Sequence, residues 1–296
     1  MAGASSYCIA CILKKQEEQI RQFQGEQKKA DYMKEYCRIV ADAKADDSAP
    51  VLVSYSAKLM KKYFGVEKVY DEEKKEYNNL MLKYEAEIRE KIKAAEDSLK
   101  EALKYSRVGN YIDFGAMSHV EKNQLDMLLS KVAEDYVDEA EYEALKNDLK
   151  KAGKLVFLTD NCGEIVLDKL FIEEIKEHYP NFDVTVVVRG EQVLNDATME
   201  DAAAVGMNQV AKVMGNGTDM AGTPLDYLSE EAKGAIEAAD VILAKGQGNF
   251  ESLNGCGLNI YYLFLCKCNW FVKSFQMKQF EGVLVNEKNL SAKMNR

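Results

Sequence analysis

The stretch LTDNCGEIVLD, residues 158–168, ends an apolar run with a carboxylate and an amide side by side, Asp160 and Asn161. Gly163 and Glu164 follow where a helix should start, and the unpaired amides and dipole of a helix start favour an anion such as phosphate. Capping of that helix by Asp160 or Asn161 is an equally simple reading of this segment alone. A second segment, EQVLNDATMEDA, brings Asn195 and Asp196 to another helical stretch, with Arg189 ending the apolar run before it. There too Asp196 or Thr198 can serve as a cap. Together, Asp160, Asn161 and Asp196 supply the hard oxygen ligands that suit magnesium or manganese, with water and a substrate phosphate filling the remaining positions. A third segment, ADVILAKGQGNFESLNG, sets Lys245 at a strand end, followed by Gly246, Gln247, Gly248 and Asn249. Such a loop can bring an ammonium and close backbone donors around phosphate. It is neither a Walker loop, which puts its lysine after the glycines, nor GxGxxG, and a tight turn with a surface lysine is the plain alternative. Glu164 and Glu251 can handle a proton or orient water, although cap or surface roles suit them as well.

These segments need elements to hold them. Residues 1–150 contain five glycines and one proline, with apolar and charged residues interleaved at helical spacing. CILKKQEEQIRQF places Ile12, Leu13, Ile20 and Phe23 near one helix face, and YNNLMLKYEAEIREKIKAAEDSLKEALKY continues such a pattern for many turns. Residues 151–296 contain thirteen glycines and short apolar runs that stop at polar turns: KLVFLTDN, DVTVVVRG, QVAKVMGNG, ADVILAKGQGN and EGVLVNE. Between the first two, Ile165, Leu167, Leu170, Phe171 and Ile175 line a helix that Pro180 ends. The pattern predicts an α/β fold, a mainly parallel doubly wound sheet with helices on both faces, preceded by a helical N-terminal subdomain. The expected division is 1–150 for the helical part and 151–296 for the α/β metal- and phosphate-binding part. Ligands gather at the carboxyl ends of strands in such sheets. The runs ending at Asp160, Arg189, Gly215 and Lys245 would then face one crevice. Residues 45–50 and 106–116 read as joints in the helical half.

A balance of 39 basic and 49 acidic residues gives a net charge of -10. That argues against a nucleic-acid partner held on a broad phosphate-binding surface. No apolar run spans a bilayer and the start lacks the charge of a secretory signal, so neither a membrane partner nor secretion is expected and a cytoplasmic protein is. Seven cysteines in such a chain point to reduced thiols rather than a disulfide framework. Cys8 and Cys11 form a CxxC, with Cys37 on the next helical stretch. Packing or incidental thiols are the favoured reading, ahead of zinc and of dithiol redox work, because neither His119 nor His178 falls at ligand spacing. Cys266 and Cys268 read as core, and His-based acid-base catalysis is not expected.

Taken in order, the three segments resemble the metal-dependent damage-control phosphatase family, formerly a family of unknown function and related to the human acidic-residue methyltransferase-like protein. VYDEEKKEYNNLMLKY is similar to the family's stretch with a spaced Lys and Asn, SRVGNYIDFGA to its GN-x-x-DFG segment, and LFLCKCNW to its late Lys-Cys segment. KGQGN is the form of the mostly prokaryotic branch, and the resemblance covers nearly the whole chain. It implies a metal-dependent phosphomonoester hydrolase of small sugar phosphates or damaged phosphometabolites, using manganese, magnesium, cobalt or nickel. Carried over by position, Asp160, Asn161 and Asp196 would be metal ligands. Lys245, Gly246, Gln247, Gly248 and Asn249 would lie at the substrate phosphate, joined by Arg189 and Asn195, while Gly163 and Glu164 enter the phosphate-binding set through the helix start read above. Two residues depart from the family's pattern: Cys162 where alanine is expected, and Gln192 where proline is common. Competing readings are a haloacid-dehalogenase-type phosphatase, which wants a second Asp where Cys162 stands, an S-adenosylmethionine-dependent carboxyl methyltransferase, which wants a glycine-rich loop after the first strand, and a non-enzymatic metal or thiol sensor built on CxxC.

Overall fold

The computed structural model describes residues 3–66, 70–109, 130–181 and 183–294. The remainder of the GN-x-x-DFG segment beyond Gly109, and His119, lie outside the described residues. Helices come first: α1 (Ser6–Ile20), α2 (Glu26–Asp42), α3 (Ala49–Phe64), α4 (Asp71–Ala94), α5 (Ser98–Val108) and α6 (Glu139–Leu149). The long pattern read as continuous for many turns is two helices, because Ala95 turns extended and the Asp97 carboxylate accepts from Lys100 N to cap α5. Likewise α1 stops at Ile20, and Phe23 lies beyond it, stacked on Phe64 at 4.4 Å between ring centroids.

From Lys154 onward strands and helices alternate: β1 (Lys154–Leu158), α7 (Glu164–His178), β2 (Asp183–Val188), α8 (Met199–Ala204), β3 (Lys212–Gly215), α9 (Glu230–Glu237), β4 (Val241–Lys245), α10 (Gly246–Leu253), β5 (Ile260–Leu265), α11 (Asn269–Phe275), β6 (Gly282–Asn286) and α12 (Leu290–Lys293). The strands form one sheet in the order β3-β2-β1-β4-β5-β6. All pair in parallel except β6, which runs antiparallel to β5. The expected mainly parallel, doubly wound sheet is therefore present. Three details differ from the sequence expectation: IYYLFL, absent from the apolar runs read as strands, is a fully buried strand leading into the Cys266–Cys268 stretch, the EGVLVNE run closes the sheet in the opposite direction, and of the two thiols read as core Cys266 is buried but Cys268 is exposed.

Side chains alternate across the sheet with the two-residue period of a strand. Leu155 and Phe157 of β1 join Ile88, Leu103, Tyr142, Ile165 and Phe171 in the core beneath α4 to α7. Val156 and Leu158 join Ala232, Ile236, Phe250, Leu253 and Phe271 on the other face. A third cluster, with Ile12, Tyr32, Tyr36, Leu52 and Leu59 at its centre, holds α1 to α3 together. The register sets Leu158 opposite both Val187 and Ala244. The chain segments that follow β1, β2 and β4 therefore emerge together at the carboxyl end of the sheet, where the strand order reverses between β1 and β4.

Candidate active site

Asp160 and Asn161 leave β1 as irregular chain, and they meet the 189–198 loop through a bridge between Asn161 and Asp196. Ala197 N donates to Asp160 O at 2.8 Å and Cys162 N to Asn195 O at 2.9 Å, so the two loops are laced by their backbones. Neither Asp160 nor Asn161 caps α7 with its side chain; the N-cap is Gly163, at φ +77°. Nor does Asp196 cap α8, where Thr198 and Asp201 form the capping box. The cap readings of these acids give way to a different arrangement. The Asn161 amide donates to Asp160 Oδ2 at 2.9 Å and to Glu164 Oε2 at 3.1 Å. Its NH2 thus faces carboxylates, and its other polar atom is an oxygen.

Arg189, 1% exposed, binds both acidic loops. Its Nε donates to Asp196 Oδ2 at 2.6 Å, Nη2 stands 3.6 Å from Asp160 Oδ1, and Nη1 donates to Gly222 O and to Asn249 Oδ1 at 2.9 and 3.0 Å. Asn249 in turn donates to Thr159 O at 3.0 Å, so the start of α10 is tied to the end of β1. At Gly246, φ +75°, an added Cβ would sit 2.0 Å from Asp160 Oδ2. That closeness and that backbone conformation both call for glycine, which is why the loop after β4 can lie against the carboxylate.

Lys245 is no surface lysine: it is fully buried, and so is Asp168, with Glu164 1% exposed. Its ammonium donates to Ser106 O at 2.7 Å, to Glu164 Oε1 at 2.6 Å and to Asp168 Oδ1, which engages all of its donors inside the protein. Burial works against the charge, but the Asp168 and Glu164 carboxylates outweigh it and hold the Lys245 pKa above its ordinary value. Burial, with the like charge of Glu164 added, pushes Asp168 up to about 7 even beside Lys245. Asp160 is likewise raised to about 7, first by burial and then by the charges of Asp196 and Glu164, with Arg189 and Lys267 opposing. Burial also raises Asp196. Two buried donors, Arg189 Nη2 and Gln247 Nε2, make no hydrogen bond among the described residues.

The sequence-derived residues Asp160, Asn161, Glu164, Arg189, Asn195, Asp196, Lys245, Gly246 and Asn249 are thus brought together. Gln247 and Gly248 follow Gly246 in the first turn of α10, and Gly163 N donates to Asn78 Oδ1 at 2.7 Å. Three contributors went unassigned in the sequence. Asp168 follows Glu164 by one helical turn on an otherwise apolar face, a spacing that pairs side chains and was a readable signal. Lys267 lies close enough to favour ionised Asp160, and its Lys-Cys segment is its one signal in the sequence. Ser106 accepts from Lys245 through its backbone carbonyl and donates its hydroxyl to Asp168 Oδ1 at 2.7 Å, a contact with no sequence signal. Both thiols of the CxxC lie on α1, Cys8 half-buried near Glu251 (Sγ to Oε1, 3.8 Å) and Cys11 exposed. Among the described residues no three His, Cys, Asp or Glu side chains cluster as ligands, and the trio expected from the sequence is two carboxylates and the amide of Asn161.

A doubly wound sheet with acidic, amide and lysine-glycine loops at its reversal point defines a class of protein, and comparison with known proteins narrows it. The profile of the damage-control phosphatase ARMT1-like domain matches residues 4–283, and the chain belongs to that family. It is 30% identical to an uncharacterized protein of Methanocaldococcus jannaschii over 94% of this chain and 93% of that one. It is 36% identical to a damage-control phosphatase of Archaeoglobus fulgidus over 69% and 70% of the two chains. To a damage-control phosphatase of Pyrococcus horikoshii it is 35% identical over 64% of each. The crystal structure of a DUF89 family protein from Pyrococcus horikoshii superposes with a TM-score of 0.80 at 26% identity, covering 97% of this chain and 100% of that chain.

Proposed function

We propose that this chain is a metal-dependent phosphomonoester hydrolase acting on small sugar phosphates or damaged phosphometabolites. The observation that carries the reading is the convergence of Asp160, Asn161 and Asp196 beside the start of α10, at the sheet's reversal point. Membership of a family whose named relatives are damage-control phosphatases supports it. The donor set fits a hard divalent cation: two carboxylates with an amide oxygen suit magnesium, manganese, cobalt or nickel, ions that keep water in the remaining positions. Burial first, and then the nearby charges of Asp196 and Glu164, disfavour ionised Asp160, and a cation at this site would offset both. When bound, the cation supplies positive charge to phosphate oxygens and lowers the pKa of a coordinated water.

The chain's own groups do the rest. Arg189 fixes the spacing of the two carboxylates, being bonded to one and ion-paired with the other. Backbone amides at the start of α10, with the unsatisfied Gln247 amide and Lys267, offer positive charge and donors to a phosphoryl group as its charge grows. Lys245 acts from behind, fixing Glu164 and adding field, since its own donors are engaged.

The test is turnover of p-nitrophenyl phosphate and a panel of sugar phosphates with each metal, with and without chelator. Activity should require metal and fall by roughly 100-fold or more in Asp160→Asn and in Asp196→Asn. Unchanged turnover in both variants would remove these residues from the mechanism.

A further inference from the structure

A buried polar network on α4 reaches both loops of the candidate cation site, although α4 belongs to the helical half of the chain. Lys74 and Asn78, 1% and 4% exposed, lie one turn apart on the same face of that helix. Asn78 Oδ1 accepts from Gly163 N at 2.7 Å, and its Nδ2 donates to Asp201 Oδ1 at 3.0 Å. Asp201 Oδ2 accepts from Thr198 N and Oγ1 at 2.9 and 2.7 Å. Lys74 Nζ stands 2.8 Å from the same oxygen and donates to Gln192 Oε1 at 2.6 Å. The Gly163 amide belongs to the first turn of α7, whose N–H groups have no partner within the helix, and it takes its acceptor from another helix. Helix α4 is pressed close to this turn: a Cβ added to Gly163 would lie 3.2 Å from Tyr77 Cβ.

We propose that Asn78 is a positioning residue for cation binding, resting on the metal reading above. One amide holds the turn that presents Asp160 and Asn161, and through Asp201 couples that turn to the loop that presents Asp196. Lys74 secures the second loop at Gln192 and Asp201, on either side of Asp196 in the chain. Groups that orient ligands from behind contribute about 10- to 100-fold in metal affinity.

The experiment is Mn2+ titration followed by electron paramagnetic resonance of the free ion, with amide hydrogen exchange of residues 159–165 measured alongside. Asn78→Leu keeps much of the volume and removes both hydrogen bonds. It should weaken Mn2+ binding by about 10- to 100-fold and speed exchange in 159–165, while exchange in β5 stays as in the native protein. The double variant Asn78→Asp with Asp201→Asn reverses the direction of one hydrogen bond, keeps the acceptor for Gly163 N and should recover most of the affinity. A merely structural role would lower thermal stability without this recovery. Native Mn2+ affinity and native exchange in a folded Asn78→Leu protein overturn the proposal, as does a double variant no better than Asn78→Asp alone, a comparison that also serves if Asn78→Leu does not fold. Asp160→Asn is the control for the metal reading. If it binds Mn2+ as the native protein does, that reading fails and the cation role of Asn78 with it, whereas loss of binding in Asp160→Asn with native binding in Asn78→Leu overturns the Asn78 proposal alone.

Discussion

Lys245 has no exposure, two carboxylate neighbours and a carbonyl for its third donor, and its removal leaves Glu164 and Asp168 facing each other without a counter-ion. Removing one member of a buried ion pair costs about 3–5 kcal/mol. Lys245→Met should therefore lower the melting temperature by roughly 5–15 °C, read by circular dichroism. Adding Glu164→Gln and Asp168→Asn should restore much of the stability without restoring turnover. A single Lys245→Met variant as stable as the native protein would mean that the cluster is less desolvated than its geometry implies. At this scale the sequence was legible for residues at strand ends, because three polar termini in one parallel sheet converge at its carboxyl end, although each alone also reads as a cap or a turn. It was not legible for Ser106 or for the commitment of Lys245 to Asp168, because those contacts depend on which helix crosses which strand.

Between elements, the close fit of α10 to β1 makes two expectations. Gly246→Ala forces a Cβ into the space of the Asp160 carboxylate and strains a left-handed backbone. Cation affinity and turnover should both fall, whereas alanine at Gly234, which meets open space, should change neither. Glu251, on the same helix, is pushed up to about 7 from 4.5, chiefly by burial. A folded-state pKa above the unfolded one means that the native protein binds the proton more tightly. The stability this contributes is present below pH 4.5 and is lost as the pH rises through about 7. Glu251→Gln should flatten that part of the stability-pH profile, measured by urea unfolding at successive pH values. Strands β1, β2 and β4 were readable because burial on both faces writes them as unbroken apolar runs. The run IYYLFL is of the same kind, but a short apolar run does not separate a buried strand from a buried helix by period. The direction of β6 is not written in its residues at all, nor in its connection: the helix-bearing link over residues 266–281 is longer than the one over 246–259 that leaves β5 parallel to β4.

For the whole molecule, ligation of a cation by the folded chain alone must raise stability by mass action. At a free metal concentration about 100 times the dissociation constant the gain is about 2.7 kcal/mol. A melting temperature that climbs with added Mn2+, falls back on chelation and does not respond in Asp160→Asn is the expected result. The strand order has one more consequence, for synthesis. Strand β1 finds β2 soon after it, but its other neighbour, β4, lies beyond β3 in the chain. A chain growing from its N-terminus thus carries the acidic loops of Asp160 and Asp196 before it has the glycine loop of Lys245, and one flank of β1 stays open in the meantime. Pairing between distant strands is slow to form and exposes apolar edges while it waits. Nascent chains halted before Val241 should accordingly be the ones that chaperones hold, and release should follow once β4 closes the sheet.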